Sequence, residues 1–223
     1  MIDYREYVSG VGDFVCGHLI NHIPQQDWED LLSLGVPVHF LRQQVLFLQG
    51  DAGQHVYVIR EGTVKVVRTE HDGRQTMLTL RGAGDVLGDM AAFDRGFRSA
   101  TVIAMNRVRA QLVTGADFRA FLTRPEAAAG YAVYTVERLR QADIHRSEIT
   151  LLPVRTRLAR ALLRVADGTV VRMSQLDVAL YVGASRNAVV EELAALRDAG
   201  IISTRRGVIQ ICDVPAMRRI AAL

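Results

Sequence analysis

The sequence predicts an α+β chain: an N-terminal antiparallel β-roll, one long helix, and a small C-terminal helical domain closed by a β-hairpin. Three observations point there. Residues 36 to 114 break into short Val-, Ile-, Leu- and Thr-rich runs separated by Gly and Asp, residues 126 to 152 contain no Gly or Pro after Gly130, and the stretch after Pro153 has helical apolar spacing. With 223 residues, 49% of them hydrophobic and 23% charged, the chain has enough apolar surface for one or two compact domains.

The strands are read from the runs Val45-Leu-Phe-Leu, Val56-Tyr-Val-Ile, Thr63 to Arg68 and Gln75 to Leu80, with breaks at Gln49-Gly-Asp-Ala-Gly, Arg60-Glu-Gly, His71-Asp-Gly and Arg81-Gly-Ala-Gly-Asp. Asp72-Gly73 is a hairpin signal, because glycine takes positive φ without steric cost. A serial antiparallel pattern of this kind closes naturally as a small barrel or roll.

Helix begins at about Ala116. Asp117 to Leu122 has one apolar face, and Pro125 suits the first turn of a new helix. Along residues 126 to 152, Leu139, Ala142, Ile149 and Leu152 fall on a narrow stripe interrupted by His145 and Arg146. A stripe that narrow on a helix that long suggests a seam with a partner helix and hence a homodimer; packing against the chain's own roll is the alternative.

Beyond Pro153, a helix spans Thr156 to Ala166 and stops at Asp167-Gly168. Ser174 can cap the next helix, with Asp177 three residues on, Gly183 can make a tight turn, and Ser185 can cap a further helix ending near Gly200. Two short helices joined in this way form a helix-turn-helix, whose second helix enters the DNA major groove. Ile201 to Thr204 and Val208 to Ile211 then form a wing with Arg205, Arg206 and Gly207 at its tip. Residues 153 to 223 carry 11 Arg against 6 Asp and Glu; from totals of 27 and 24, this leaves 16 basic and 18 acidic residues before them. A basic C-terminal part on a mildly acidic body fits a reader of double-stranded DNA. Candidate DNA-facing residues are Ser174, Gln175, Ser185, Arg186, Asn187, Glu191, Arg205 and Arg206. The three parts divide as 1–125, 126–152 and 153–223.

A second candidate site lies in the roll, from Gly84 to Val102. Gly88 is followed by the acid Asp89, by Met90 in a short apolar turn, and then by Arg98 and Ser99. Arginine offers a planar fork of donors to a phosphate, the serine hydroxyl adds another, and the first amides of a short helix favour an anion. Asp89 would accept from a ribose 2′-hydroxyl. That is the chemistry of a cyclic nucleotide.

Other classes find less support. No apolar run is long enough to cross a bilayer, and the start Met1-Ile-Asp-Tyr-Arg-Glu is unlike a signal peptide, so a cytoplasmic location without membrane contact is expected. Cys16 and Cys212 lie near opposite ends and form no metal-ligand spacing. No nucleophile–base pair or P-loop suggests an enzyme, and no required cofactor or metal is expected.

Taken together, the phosphate cassette from Gly88 to Val102, the long helix and the winged helix-turn-helix from Ser174 to Ile211 resemble the Crp/Fnr family of bacterial transcription regulators. The resemblance implies a homodimer on a two-fold symmetric operator, RNA polymerase as a further partner, and cyclic AMP or cyclic GMP as an effector held by Gly88, Asp89, Met90, Arg98 and Ser99. It also sets Arg138 opposite the cassette, with a solvated Arg138 as the alternative. Some positions depart from the pattern. Asp89 stands where glutamate is usual, and Ala142 and Asp143 stand where hydroxyl-bearing residues read adenine. Asp143, turned toward the base, would favour guanine; otherwise it is solvated. Asn187 replaces a glutamate and Glu191 a frequent arginine, so the operator should differ from that of the cyclic AMP receptors. Cys16 alone cannot hold an iron–sulfur cluster, whereas His18, His22, His39, His55 and His71 leave haem open. The remaining readings are a ligand-free roll and a nucleotide-binding adaptor acting through protein contacts.

Overall fold

The computed structural model describes residues 17–222, so the expectations for the N-terminal start and for Cys16 lie outside the described residues. Two compact units divide inside the long helix, at 17–141 and 142–222.

The first unit is the expected roll. Strands β1 (Val36–Phe40), β8 (Val108–Thr114), β3 (His55–Glu61) and β6 (Val86–Leu87) form one antiparallel sheet. The other holds β2 (Val45–Phe47), β7 (Thr101–Ala104), β4 (Val64–Thr69) and β5 (Gln75–Arg81). Gly73 takes φ +82° in the β4–β5 turn, as the Asp72-Gly73 pair requires. Phe47, Tyr57, Ile59, Val64, Val102 and Val108 fill one core cluster. A second cluster packs Leu19, Trp28 and Leu31 with Val56, Phe118 and Tyr134, joining α1 (Gln25–Ser33), α3 (Gly115–Phe121) and the start of α4 (Pro125–Leu151) to the roll. Thr114 caps α3 by accepting from the Asp117 amide.

Between β6 and β7 in the chain, the cassette forms α2 (Asp89–Asp94), entered through Gly88 at φ +77°. A Cβ at Gly88 would lie 2.1 Å from Arg98 Nη1, so glycine is needed here both for its dihedral and for the close approach.

The second unit holds the end of α4, α5 (Val154–Val165), α6 (Gln175–Val182), α7 (Arg186–Asp198) and α8 (Val214–Ala221). Its sheet, β10 (Ile202–Arg205), β11 (Val208–Ile211) and β9 (Val170–Val171), adds a third short strand to the expected hairpin. Helix α8, capped by Asp213, lies beyond the last element read from the sequence. Glu148 is buried and accepts from Arg164 at 2.7 and 2.9 Å and from Arg160 at 3.3 Å, pinning the end of α4 to α5.

The stripe read along α4 takes two roles. Ile149 sits over the α6–α7 turn, its side-chain carbons 3.2–3.3 Å from where a Gly183 Cβ would stand. Leu139, by contrast, is 61% exposed, and Val133 and Val136 are exposed beside it in sequence. Within its own unit, then, Ile149 is an internal packing residue.

Candidate effector and DNA sites

Asp89 opens α2 with its side chain buried. Its Oδ2 accepts from Tyr131 Oη at 2.9 Å and from Arg138 Nη1 at 2.5 Å. Of the two placements open to Arg138, the structure takes the one facing the cassette. Burial opposes the Arg138 charge, yet the neighbouring Asp89 carboxylate, together with Tyr134 and Tyr131, outweighs it and raises the guanidinium pKa. Burial and the same carboxylate push the Tyr131 hydroxyl up, so it stays protonated and donates. Below them, Tyr134 Oη donates to the fully buried Asp85 at 3.2 Å, and His18 Nδ1 lies 3.3 Å from the same carboxylate.

Arg98 is 2% exposed. Its Nη1 donates to the Gly88 carbonyl at 2.7 Å and its Nη2 to the His55 carbonyl at 2.6 Å, while Cζ lies 4.3 Å from the Phe47 ring centroid. The buried Nε–H finds no partner, and among the described residues no carboxylate stands within ion-pair distance. Burial lowers the Arg98 pKa, as expected of a cation taken out of water without a close counter-charge. Ser99 and Met90 are exposed beside this centre. Asp143 is on the second unit's part of α4, exposed, with Arg146 Nη1 at 3.5 Å. Of the histidines considered for haem, His22 bonds Glu137 at 3.0 Å, His39 and His71 are exposed, and His55 has a buried, unpartnered Nε2.

The sequence reading missed Tyr131, Tyr134, Asp85 and Phe47. A helical signal was present for two of them: Tyr131, Tyr134 and Arg138 follow the i, i+3, i+7 spacing that puts three residues on one face.

In the second unit, Ser174 Oγ accepts from the Asp177 amide at 3.1 Å and donates to Asp177 Oδ2 at 2.7 Å, a reciprocal cap that occupies the hydroxyl. Gln175 is exposed next to it. Gly183 takes φ +62° at the end of α6, and Ser185 Oγ accepts from the Ala188 amide to start α7. Val189, Leu193 and Leu196 are buried and hold the inner face of α7; each such side chain contributes about 1.5–3 kcal/mol. Arg186, Asn187, Val190 and Glu191 remain exposed on the outer face. The wing tip exposes Arg205 and Arg206, with Gly207 at φ +72° making the turn.

A family model described as a cyclic nucleotide-binding domain matches residues 37–124, and one described as a Crp-like helix-turn-helix domain matches residues 156–220. The chain is 30% identical to the cyclic AMP receptor protein of Thermus thermophilus over 180 residues, covering 79% of this chain and 83% of the relative. It is also 30% identical to a CRP-like cAMP-activated global transcriptional regulator of Mycobacterium tuberculosis over 194 residues, covering 82% and 87%. Among solved structures, a CRP-family transcriptional regulator from Thermus thermophilus superposes with a TM-score of 0.74 at 26% identity, covering 83% of this chain and 97% of that one. A cyclic nucleotide-binding domain model on the roll, a Crp-like model on the helix-turn-helix, and relatives 30% identical over most of both chains place this chain in the Crp/Fnr family of DNA-binding transcription regulators.

Proposed function

We propose that the protein is a homodimeric, sequence-specific transcription regulator whose DNA affinity is set by a cyclic nucleotide bound in the roll. The observation that carries the effector is Arg98. A buried guanidinium with an unpartnered Nε–H and, among the described residues, no carboxylate in ion-pair range is costly on its own, and an anionic phosphate would supply the missing counter-charge. Arg98 and the exposed Ser99 hydroxyl would hold that phosphate, Asp89 would accept from the ribose, and Gly88 leaves room for the Arg98 fork. The names of the relatives from Thermus and Mycobacterium favour cyclic AMP; cyclic GMP has the same ribose and phosphate.

The DNA reading rests on α7, which presents Arg186, Asn187 and Glu191 to base edges, while Gln175, the Ser185 region, Arg205 and Arg206 meet the backbone. A second copy of the chain fits the exposed Val133, Val136 and Leu139 of α4. The division at 125 and 152 then separates effector domain, dimer helix and DNA-binding domain. A regulator of this kind works on the chromosome in the cytoplasm, with RNA polymerase as the partner the family implies, and needs no catalytic residue.

One observation favours a second reading, a ligand-free roll that serves as a scaffold: Arg98 Nη1 and Nη2 already donate to the Gly88 and His55 carbonyls. Calorimetry with cyclic AMP and cyclic GMP separates the two. Because Arg98→Leu would also strip those carbonyls of their donors, Arg98→Gln is the better variant, since it removes the charge and keeps an amide N–H. The effector reading expects binding by the wild type and none by Arg98→Gln at an unchanged melting temperature. Absence of binding by the wild type at millimolar nucleotide selects the scaffold.

A further inference from the structure

The carboxylate that would meet the ribose is held from the long helix by two donors, and both reach the same oxygen. Tyr131 Oη and Arg138 Nη1 each donate to Asp89 Oδ2, and no hydrogen bond from a described residue reaches Oδ1. A carboxylate oxygen has two lone pairs, so Oδ2 is saturated while Oδ1 keeps its full accepting capacity. Tyr131 is itself fixed: its ring stands edge-on to the Phe118 ring, with centroids 5.8 Å apart and planes at 82°, and Phe118 is fully buried. Arg138 has a long, flexible stem, whereas the tyrosine has two torsions and a rigid ring. The tyrosine is therefore the donor that sets the plane of the carboxylate.

We propose that Tyr131 is a positioning residue for effector recognition, orienting Asp89 so that Oδ1 alone is presented to the 2′-hydroxyl of a cyclic nucleotide. This rests on the reading that the roll binds such a nucleotide, and it adds the residue that makes the site select ribose over 2′-deoxyribose. Arg98, at the phosphate end, donates to the Gly88 and His55 carbonyls and makes no hydrogen bond to Tyr131 or to the Asp89 carboxylate. Loss of the tyrosine hydroxyl should thus weaken only the part of the affinity that the 2′-hydroxyl contributes.

The test is calorimetry on the full chain with four probes: cyclic AMP, cyclic GMP and their 2′-deoxy forms. A hydroxyl bonded to a fixed carboxylate should give the wild type about a 10- to 100-fold preference for the ribose form. In Tyr131→Phe, which keeps the ring on Phe118, that preference should shrink several-fold while affinity for the 2′-deoxy form is unchanged. Asp89→Asn should shrink it as well, which provides a second check if Tyr131→Phe folds poorly. If ribose and deoxyribose affinities fall together with their ratio intact, the role of Tyr131 is structural only and the proposal is overturned. A ratio that rises in Tyr131→Phe means the tyrosine competes with the ribose, which also overturns it. Wild-type binding without ribose preference overturns the role of Tyr131 but leaves the cyclic-nucleotide reading standing. No binding of any of the four probes overturns both.

Discussion

Arg138 and Asp89 lie 49 residues apart in sequence and share one largely buried ion pair, Nη1 to Oδ2 at 2.5 Å. The acid belongs to the cassette's short helix and the arginine to the long helix that follows the roll. The pair makes the position of α2 depend on α4 within one compact unit. A ligand that moves Asp89 therefore acts on the long helix directly, and it can shift DNA affinity only by as much as it discriminates between two arrangements of the protein.

A side chain at Gly88 should displace the Arg98 guanidinium. In Gly88→Ala the new Cβ would press on Arg98 Nη1, and the +77° dihedral would add strain on the order of 1–2 kcal/mol. The expected outcome is a lower melting temperature together with weaker cyclic-nucleotide binding, because the displaced group is the one proposed to hold the phosphate. Gly50, also at positive φ but with nothing within 4 Å of its Cβ position, is the control: Gly50→Ala should lower stability and leave nucleotide binding unchanged.

Stability should fall in mild acid through His145. Burial first, and Arg164 second, lower its pKa; the ring stacks on Tyr181 with centroids 5.1 Å apart. Since the folded pKa lies below the unfolded value of about 6.5, the unfolded chain binds more protons between the two, and stability is lost as pH drops below about 6.5. Denaturant titrations at pH 7.5 and 5.5 should show the loss, and His145→Phe should reduce it. An equal loss in the variant would assign it elsewhere, with His55, also lowered by burial, the next group to test.

Dimer formation should depend on the exposed stretch of α4 and not on Ile149. Val136 is 45% exposed, so Val136→Glu costs little in a monomer but places two like charges at a two-fold seam. Sedimentation should show a dimer for the wild type and a monomer for Val136→Glu. A wild-type monomer at high concentration rules out the seam.

On DNA, Arg186→Ala should cost about 1–3 kcal/mol at one base position and relax specificity there. Arg205→Ala or Arg206→Ala should instead weaken all sequences alike and flatten the salt dependence of binding. Anisotropy titrations across salt concentrations distinguish the two patterns.

Much of this could be read from local signals. Asp72-Gly73, Gly183 and the capping serines Ser174 and Ser185 act within a few residues of themselves, and the structure uses each as its chemistry suggests. The cassette spacing from Gly88 to Arg98 was legible for the same reason. The inward commitments of the site were not. That Arg98 bonds the His55 carbonyl 43 residues away, or that Tyr131 and Arg138 share one oxygen of Asp89, depends on the closure of the roll and the docking of α4. Ile149 shows the same limit: its place on an apolar stripe was visible, but the Gly183 turn it packs against was not. Helix α8 is marked in the sequence only by Asp213 and Pro215 at its start, local signals that do not by themselves distinguish a helix from a turn after the wing.

Nucleotide-controlled DNA binding is tested most directly by selecting bound sequences from a randomised duplex pool, with and without cyclic AMP or cyclic GMP. With nucleotide, the protein should enrich a two-fold symmetric sequence whose half-sites lie about one helical turn, roughly 34 Å, apart, and enrichment should fall sharply without it. Failure to enrich any sequence, or equal enrichment in the absence of nucleotide, would contradict the account.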